Sequence, residues 1–419
     1  VQEMMVENNG SQCGYCTPGV VMSLFGLFKN HRNPSRNTIE DALAGNLCRC
    51  TGYQSILEAA QRACSGNGKD HFTMYEPVVE GMLRDIASNQ ETFEYRKGRQ
   101  YYLKPFSLHE ALKLRAEHPL ATVICGSTDV SLRQTKKKEF LAKILDLSGV
   151  KELRQFKEEE QQYFLGAGMT MEQLKSFSAD RFPALHKMLT VFGSLQVRNM
   201  ATLGGNIGSA SPIGDTLPLL MAYKTLVKVS SLGGERIFPI EDFITGYRKT
   251  AQENNELITG IILPKYGVET MIFSHKVSRR KDMDISTVSA AFRLTLKHEI
   301  IDDIILAFGG MADRPKRAVK TEQFLCGKTW SQNIISDAMQ VFDDEFTPIS
   351  DARADASYRK SAGRNLLMKF FHDKSQPRPL APDSSPMVSM GESAAGASME
   401  SAEKHVTGES VFIEDMPVN

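Results

Sequence analysis

Hydrophobic positions give the chain two textures. Up to about residue 66 they recur at helical spacing. Val20, Val21, Leu24, Leu27 and Phe28 mark one face of a helix that begins near Pro18, a residue tolerated in a first turn. His31-Arg32-Asn33-Pro34 ends it. Asn37, with Glu40 three residues later, predicts a second helix start, and Gly45 closes that helix. Ile56, Leu57 and Ala60 predict a third helix from Gln54 to Ala63. Ser65-Gly66-Asn67-Gly68 then breaks the pattern, and residues 67 to 100 read as a polar linker with one short helix.

From Tyr101 the pattern becomes mixed. Leu108 to His118 has helical spacing. Short apolar runs predict strands at 121–125, 143–147, 163–166, 225–230, 257–263, 289–296 and 303–308. The fold class is therefore multidomain: an all-α segment, then α+β. Residues 374–400, with four prolines and many serines, read as a flexible connector.

With 419 residues the chain is too long for one ordinary core, so two to four domains are expected. Hydrophobic content of 41% and charged content of 24% describe an ordinary soluble protein. Fifty basic and fifty acidic residues cancel, which removes the basic footprint of a nucleic-acid binder. Lys136-Lys137-Lys138 reads as a solvated loop. The best apolar stretch, Gly19 to Phe28, is half the length of a bilayer span, so no membrane is implied. The chain opens on Val1-Gln2-Glu3 without a leader pattern and is read as starting inside a domain. Four of its seven cysteines fall in the first fifty residues, which favours a reducing, cytoplasmic setting and a metal or redox site. Cys64, Cys125 and Cys326 read as buried free thiols.

The four clustered cysteines are Cys13-x-x-Cys16 and Cys48-x-Cys50, two pairs on loops at helix ends. Thiolates in this pattern suit an iron–sulfur cluster, and backbone N–H groups there can offset the negative charge on sulfur. Zinc and uncoordinated thiols remain alternatives, although the one-residue spacing is unusual for zinc. Two glycine-containing segments follow strand-like runs: Ile124-Cys125-Gly126-Ser127-Thr128-Asp129, and Ala201 to Pro212 ending at Asp215. Small residues let a backbone approach a pyrophosphate, and hydroxyls of Ser127, Thr128, Thr202 and Ser209 add donors. Neither segment fits the dinucleotide fingerprint of a Rossmann strand, and each alone also reads as a tight turn.

Ser11-Gln12-Cys13-Gly14-Tyr15-Cys16-Thr17-Pro18-Gly19 and Gly45-Asn46-Leu47-Cys48-Arg49-Cys50-Thr51-Gly52-Tyr53 resemble the second [2Fe-2S] domain of the molybdenum hydroxylases. That family includes xanthine dehydrogenase, aldehyde oxidase and carbon monoxide dehydrogenases. The resemblance implies that Cys13, Cys16, Cys48 and Cys50 bind iron and that Gln12 approaches the molybdopterin. It divides the chain into a helical [2Fe-2S] domain (1–66), an FAD-binding domain (101–264), a flavoprotein C-terminal domain (269–373) and, at 401–419, the opening of a molybdopterin-binding domain. His405 in that tail carries no role.

By the same resemblance Ile124, Cys125, Gly126, Ser127, Thr128, Asp129, Val130, Ala201, Thr202, Gly205, Asn206, Gly208, Ser209, Asp215 and Leu257 line FAD. Phe192 matches an aromatic beside the dinucleotide, with core filling as the plainer role. Lys276 matches a lysine near the flavin ring, where its charge favours an anionic reduced flavin. Either Asp282 or Asp284 faces the flavin. No residue of this chain is expected to be a catalytic acid or base. The implied enzyme hydroxylates a purine at molybdenum and relays electrons through [2Fe-2S] to FAD and on to NAD. Tyr247-Arg248-Lys249 and Ser278-Arg279-Arg280 favour the NAD-using side over an oxygen-using aldehyde oxidase. Implied partners are an N-terminal ferredoxin-like domain with a further [2Fe-2S] cluster, the molybdopterin domain with its cofactor, NAD and a second copy in a homodimer.

Overall fold

The computed structural model describes residues 1–66, 69–88, 90–280, 283–375 and 406–407. It divides into two units, one built from 1–89 with 379–419 and one from 90–378.

The first unit is helical. Gln2–Glu7, Thr17–Asn30, Arg36–Leu43 and Gln54–Cys64 close around Met5, Val20, Leu24, Leu27, Ile39 and Ile56. The second of these starts as its proline predicts. The third starts from Ser35, not Asn37: the Ser35 hydroxyl accepts from the Thr38 N–H at 3.2 Å, the usual reach of an N-cap. It also ends at Leu43, before Gly45. Val406 is buried in this core, and its carbonyl accepts from Gln2 Nε2 at 2.9 Å. The helix Glu76–Ser88 buries none of its side chains, leaving Val79, Met82, Leu83 and Ile86 exposed.

The second unit holds three larger sheets. The first has the order Phe93–Lys97, Gln100–Lys104, Lys143–Asp146, Thr122–Ile124. Its first pair is an antiparallel hairpin and its other pairs are parallel. Phe93–Lys97 lies within the stretch read as linker. All five of its side chains are exposed, so no buried face imposed a period on the sequence.

The second sheet, antiparallel throughout, runs Phe156–Glu158, Gln162–Gly166, Leu257–Pro264, Leu226–Ser231, Gly234–Pro239. The third runs Thr270–Val277, Val288–Lys297, Ile300–Gly309, Lys316–Arg317, also antiparallel. Helices Val319–Leu325, Gln332–Phe342 and Ala356–Ser375 accompany it, with Phe292, Phe308, Phe342 and Phe370 in the core between. The α and α+β reading holds. Of the three leftover cysteines only Cys64 is buried; Cys125 is half-buried, and Cys326 is exposed at the end of its helix.

Candidate functional site

In the helical unit the two cysteine loops are shaped by small local devices. Gly14 has φ 81°, and the buried Ser11 and Thr17 hydroxyls share a 2.7 Å hydrogen bond across the first loop. Cys16 is the N-cap residue of Thr17–Asn30. Gly19 has no side chain because Asn46 packs there: a Cβ would lie 2.5 Å from Asn46 Oδ1. Asn46 in turn donates to Ser23 at 2.9 Å, bringing the second loop onto that helix. In the second loop, Gly52 and Tyr53 take positive φ values of 67° and 70°, and the Cys48 N–H donates to the Tyr53 hydroxyl at 3.0 Å. The Thr51 hydroxyl lies 3.2 Å from Cys48 Sγ.

The four thiols meet in two cross-loop pairs, Cys16 with Cys48 and Cys13 with Cys50. Burial, together with the hydrogen bond and charge of Cys48, pushes the Cys16 thiol up to about 12. Burial also works to raise Cys48, but hydrogen bonds from the Thr51 hydroxyl and nearby backbone hold it below the ordinary thiol range. The bond to Cys13 raises Cys50. Among the described residues no three His, Cys, Asp or Glu side chains converge to hold a single ion. Two thiols per metal, on two metals, is the arrangement a dinuclear cluster uses, so the donor set fits [2Fe-2S] better than a four-thiolate zinc site. Gln12 is exposed on the rim beside Cys13.

In the second unit, Cys125–Asp129 leaves the carboxyl end of Thr122–Ile124, in the parallel part of its sheet, the end where open α/β sheets bind ligands. Ser127 adopts φ 61°, and a Cβ on Gly126 would sit 1.6 Å from the Met200 carbonyl oxygen. The first segment therefore presses against the entry to the second. That second segment is a helix and not a tight turn. Thr202 caps a helix, Leu203–Ser209, by accepting from the Gly205 N–H at 3.2 Å. Leu203 and Ile207 anchor the helix in the core while Gly205 and Gly208 face outward, which leaves a flank without side chains. Asn206 and Ser209 are engaged locally, Asn206 with the Thr216 hydroxyl and the Ser209 hydroxyl with the Asn206 carbonyl at 2.8 Å. Ala201 is buried; Ile124, Cys125 and Val130 are half-buried; Thr128 is exposed.

Asp215 and Lys276 come together. Asp215 Oδ2 accepts from Lys276 Nζ and Oδ1 from the Ser286 hydroxyl, both at 2.5 Å, and all three side chains are buried. Lys276 is thus charge-compensated and does not present a bare cation. Ser286, within Ile285-Ser286-Thr287, carries no local sequence signal for this role. Asp129 pairs with Arg248 at 3.1 Å, joining the first segment to the Gly246–Thr250 turn. Arg279 donates to the carbonyls of Ala352 and Arg353, and Asp284 folds back on Arg280, whose N–H and guanidinium hold its carboxyl low. Asp282 lies outside the described residues, as does His405. Leu257 is fully buried among Leu103, Ala111, Leu114 and Leu145. Phe192 is half-buried, leaning on the large core.

Three families match this chain. Residues 1–61 match a [2Fe-2S] binding domain, 92–266 the FAD binding domain in molybdopterin dehydrogenase, and 273–374 the CO dehydrogenase flavoprotein C-terminal domain. The xanthine dehydrogenase of Emericella nidulans is 30% identical over 89% of this chain, and the xanthine dehydrogenase/oxidase of Gallus gallus 29% over 88%. The chain spans 32% of the length of each. Among solved structures, a carbon monoxide dehydrogenase chain from Hydrogenophaga pseudoflava superposes with a TM-score of 0.62 at 24% identity, covering 66% of this chain and 96% of that one. A quinoline 2-oxidoreductase chain from Pseudomonas putida gives 0.61 at 23%, covering 68% and 99%. At such identities these likenesses speak for the fold.

Proposed function

The chain belongs to the molybdenum hydroxylase family, and from that premise we propose that it is the electron-transfer portion of a xanthine dehydrogenase-type oxidoreductase. The observation that carries this reading is the two-plus-two meeting of Cys13 with Cys50 and Cys16 with Cys48 in one small helical unit. When bound, a [2Fe-2S] cluster supplies one-electron carriage and FAD supplies two-electron storage with hydride transfer. The four thiolates would hold the irons. Thr51 Oγ1 lies 3.2 Å from the Cys48 sulfur and, donating to the thiolate, would stabilise negative charge there and tune potential upward.

On the flavin side, Gly205 and Gly208 would admit the dinucleotide against backbone, and the Gly126 approach to Met200 fixes the spacing of the two segments. Phe192 would flank the dinucleotide. Lys276 and Ser286 orient Asp215 and keep its charge compensated, so the group supplies a fixed dipole beside the cofactor. Arg248 and Asp129 flank the outer mouth.

Purine as substrate and NAD as final acceptor are part of the proposal, supported by the relatives named as xanthine dehydrogenases. So are a molybdopterin domain, a ferredoxin-like domain and a homodimer. Among the described residues no helix is long and apolar enough to cross a membrane.

Purified chain should carry two irons and one FAD, with a brown-yellow spectrum. Anaerobic NADH should bleach the flavin. Colourless protein holding zinc would overturn the reading, and a flavin that ignores NADH but is reoxidised by oxygen would move it to the aldehyde oxidase type.

A further inference from the structure

We propose that Arg198 is a positioning residue that sets Phe192 against the bound dinucleotide, an inference that rests on the FAD reading above. Phe192 sits on a tight turn. Gly193 has φ 55°, where a side chain would be strained, and a Cβ there would also lie 3.2 Å from Val197 Cγ1. Ser194 then caps the short helix Leu195–Met200 by accepting from the Val197 N–H at 3.3 Å. Arg198 lies on that helix and is wholly buried.

Its guanidinium turns back into the turn. Nη1 donates to the Gly193 carbonyl at 3.0 Å and reaches the Phe192 carbonyl at 3.5 Å, while Nε donates to Glu172 Oε2 at 2.5 Å. Glu172 belongs to the helix Met171–Ser178, whose cap residue Thr170 bridges to Thr202 at the head of the glycine-flanked helix. One planar cation therefore fixes the backbone of the aromatic turn relative to the segment that faces the dinucleotide. A lysine cannot repeat this, since a single ammonium lacks the in-plane fork that serves a carboxylate and a carbonyl together. The core holds one side of the Phe192 ring, and its half-buried state leaves another side for a ligand.

The test compares R198K, F192L and the double variant in the full chain. It measures FAD dissociation constant, the induced visible circular dichroism of the flavin, and thermal unfolding without FAD. R198K should weaken FAD about tenfold, the scale of one to two charge-assisted hydrogen bonds, and should reduce the flavin dichroism. Adding R198K to F192L should change affinity by less than about twofold, because the arginine acts through the aromatic. Fully multiplying losses, or FAD affinity within twofold of wild type for R198K, would overturn the assignment. Should R198K not fold, E172Q loosens the same guanidinium and enters the same comparison. A wild-type chain that binds no FAD would instead sink the parent reading.

Discussion

Replacing Lys276 with methionine removes one partner of a buried ion pair and keeps most of the side-chain volume. Lys276 and Asp215 are only 7% and 8% exposed, with 2.5 Å between Nζ and Oδ2. At an effective dielectric of about 20 the pair gains roughly 6–7 kcal/mol of attraction. Desolvating each ion costs several kcal/mol in return. In K276M the Asp215 carboxylate keeps, among the described residues, the Ser286 hydroxyl, so the loss should be about 3–5 kcal/mol. For a unit of this size that lowers the melting temperature by about 6–15 °C. Differential scanning fluorimetry and urea titration of the FAD-free chain measure it. Adding D215N should restore more than about half, because the stranded charge disappears. A K276M loss below about 1 kcal/mol, or a double variant worse than K276M, would refute the reasoning.

His275 gives the acid response of the same unit. Burial, with Lys369 and Lys187 nearby, lowers it from 6.5 to about 4. Between these values the unfolded chain binds the proton and the folded chain does not, so stability falls as pH drops from 6.5 towards 4. The loss is about 2 kcal/mol between pH 7 and pH 5. Urea titrations of H275Q should show that slope flattened. Gly126→Ala forces a Cβ to 1.6 Å from the Met200 carbonyl oxygen, so it should cost at least about 1–3 kcal/mol and abolish FAD retention on gel filtration. Thr51→Val removes the hydroxyl donor to Cys48 and should lower the cluster's midpoint potential in a spectroelectrochemical titration, with iron content unchanged.

Much of this was legible in the sequence wherever a residue's chemistry left few choices. The helix of Thr17–Asn30 follows from Pro18 and the Val20–Phe28 spacing, and the four cysteines meet. Strands with a buried face, such as Leu257–Pro264 and Val288–Lys297, also read clearly. Phe93–Lys97 did not, because backbone pairing holds it and no side chain is buried. Leu257 shows a related ambiguity: apolar residues bordering a ligand and apolar residues packed in a core look alike in one dimension. The glycines of Leu203–Ser209 read alone as a tight turn, yet Thr202, Leu203 and Ile207 supply a cap and a core face sufficient for a helix. Ser286 and Arg198 act through contacts 71 and 26 residues away along the chain, and local pattern carries no trace of such partners.

The hydrogen bond between Gln2 and Val406 makes the helical unit dependent on synthesis order. Its four helices leave the ribosome well before the valine packed in their core, which is translated several hundred residues later. At roughly 5–20 residues per second that delay is tens of seconds. Closing so long a loop adds little entropic penalty, because the cost grows only with the logarithm of its length. Until then the nascent bundle lacks that contact, which forms only after the whole of the flavin unit between has been synthesised.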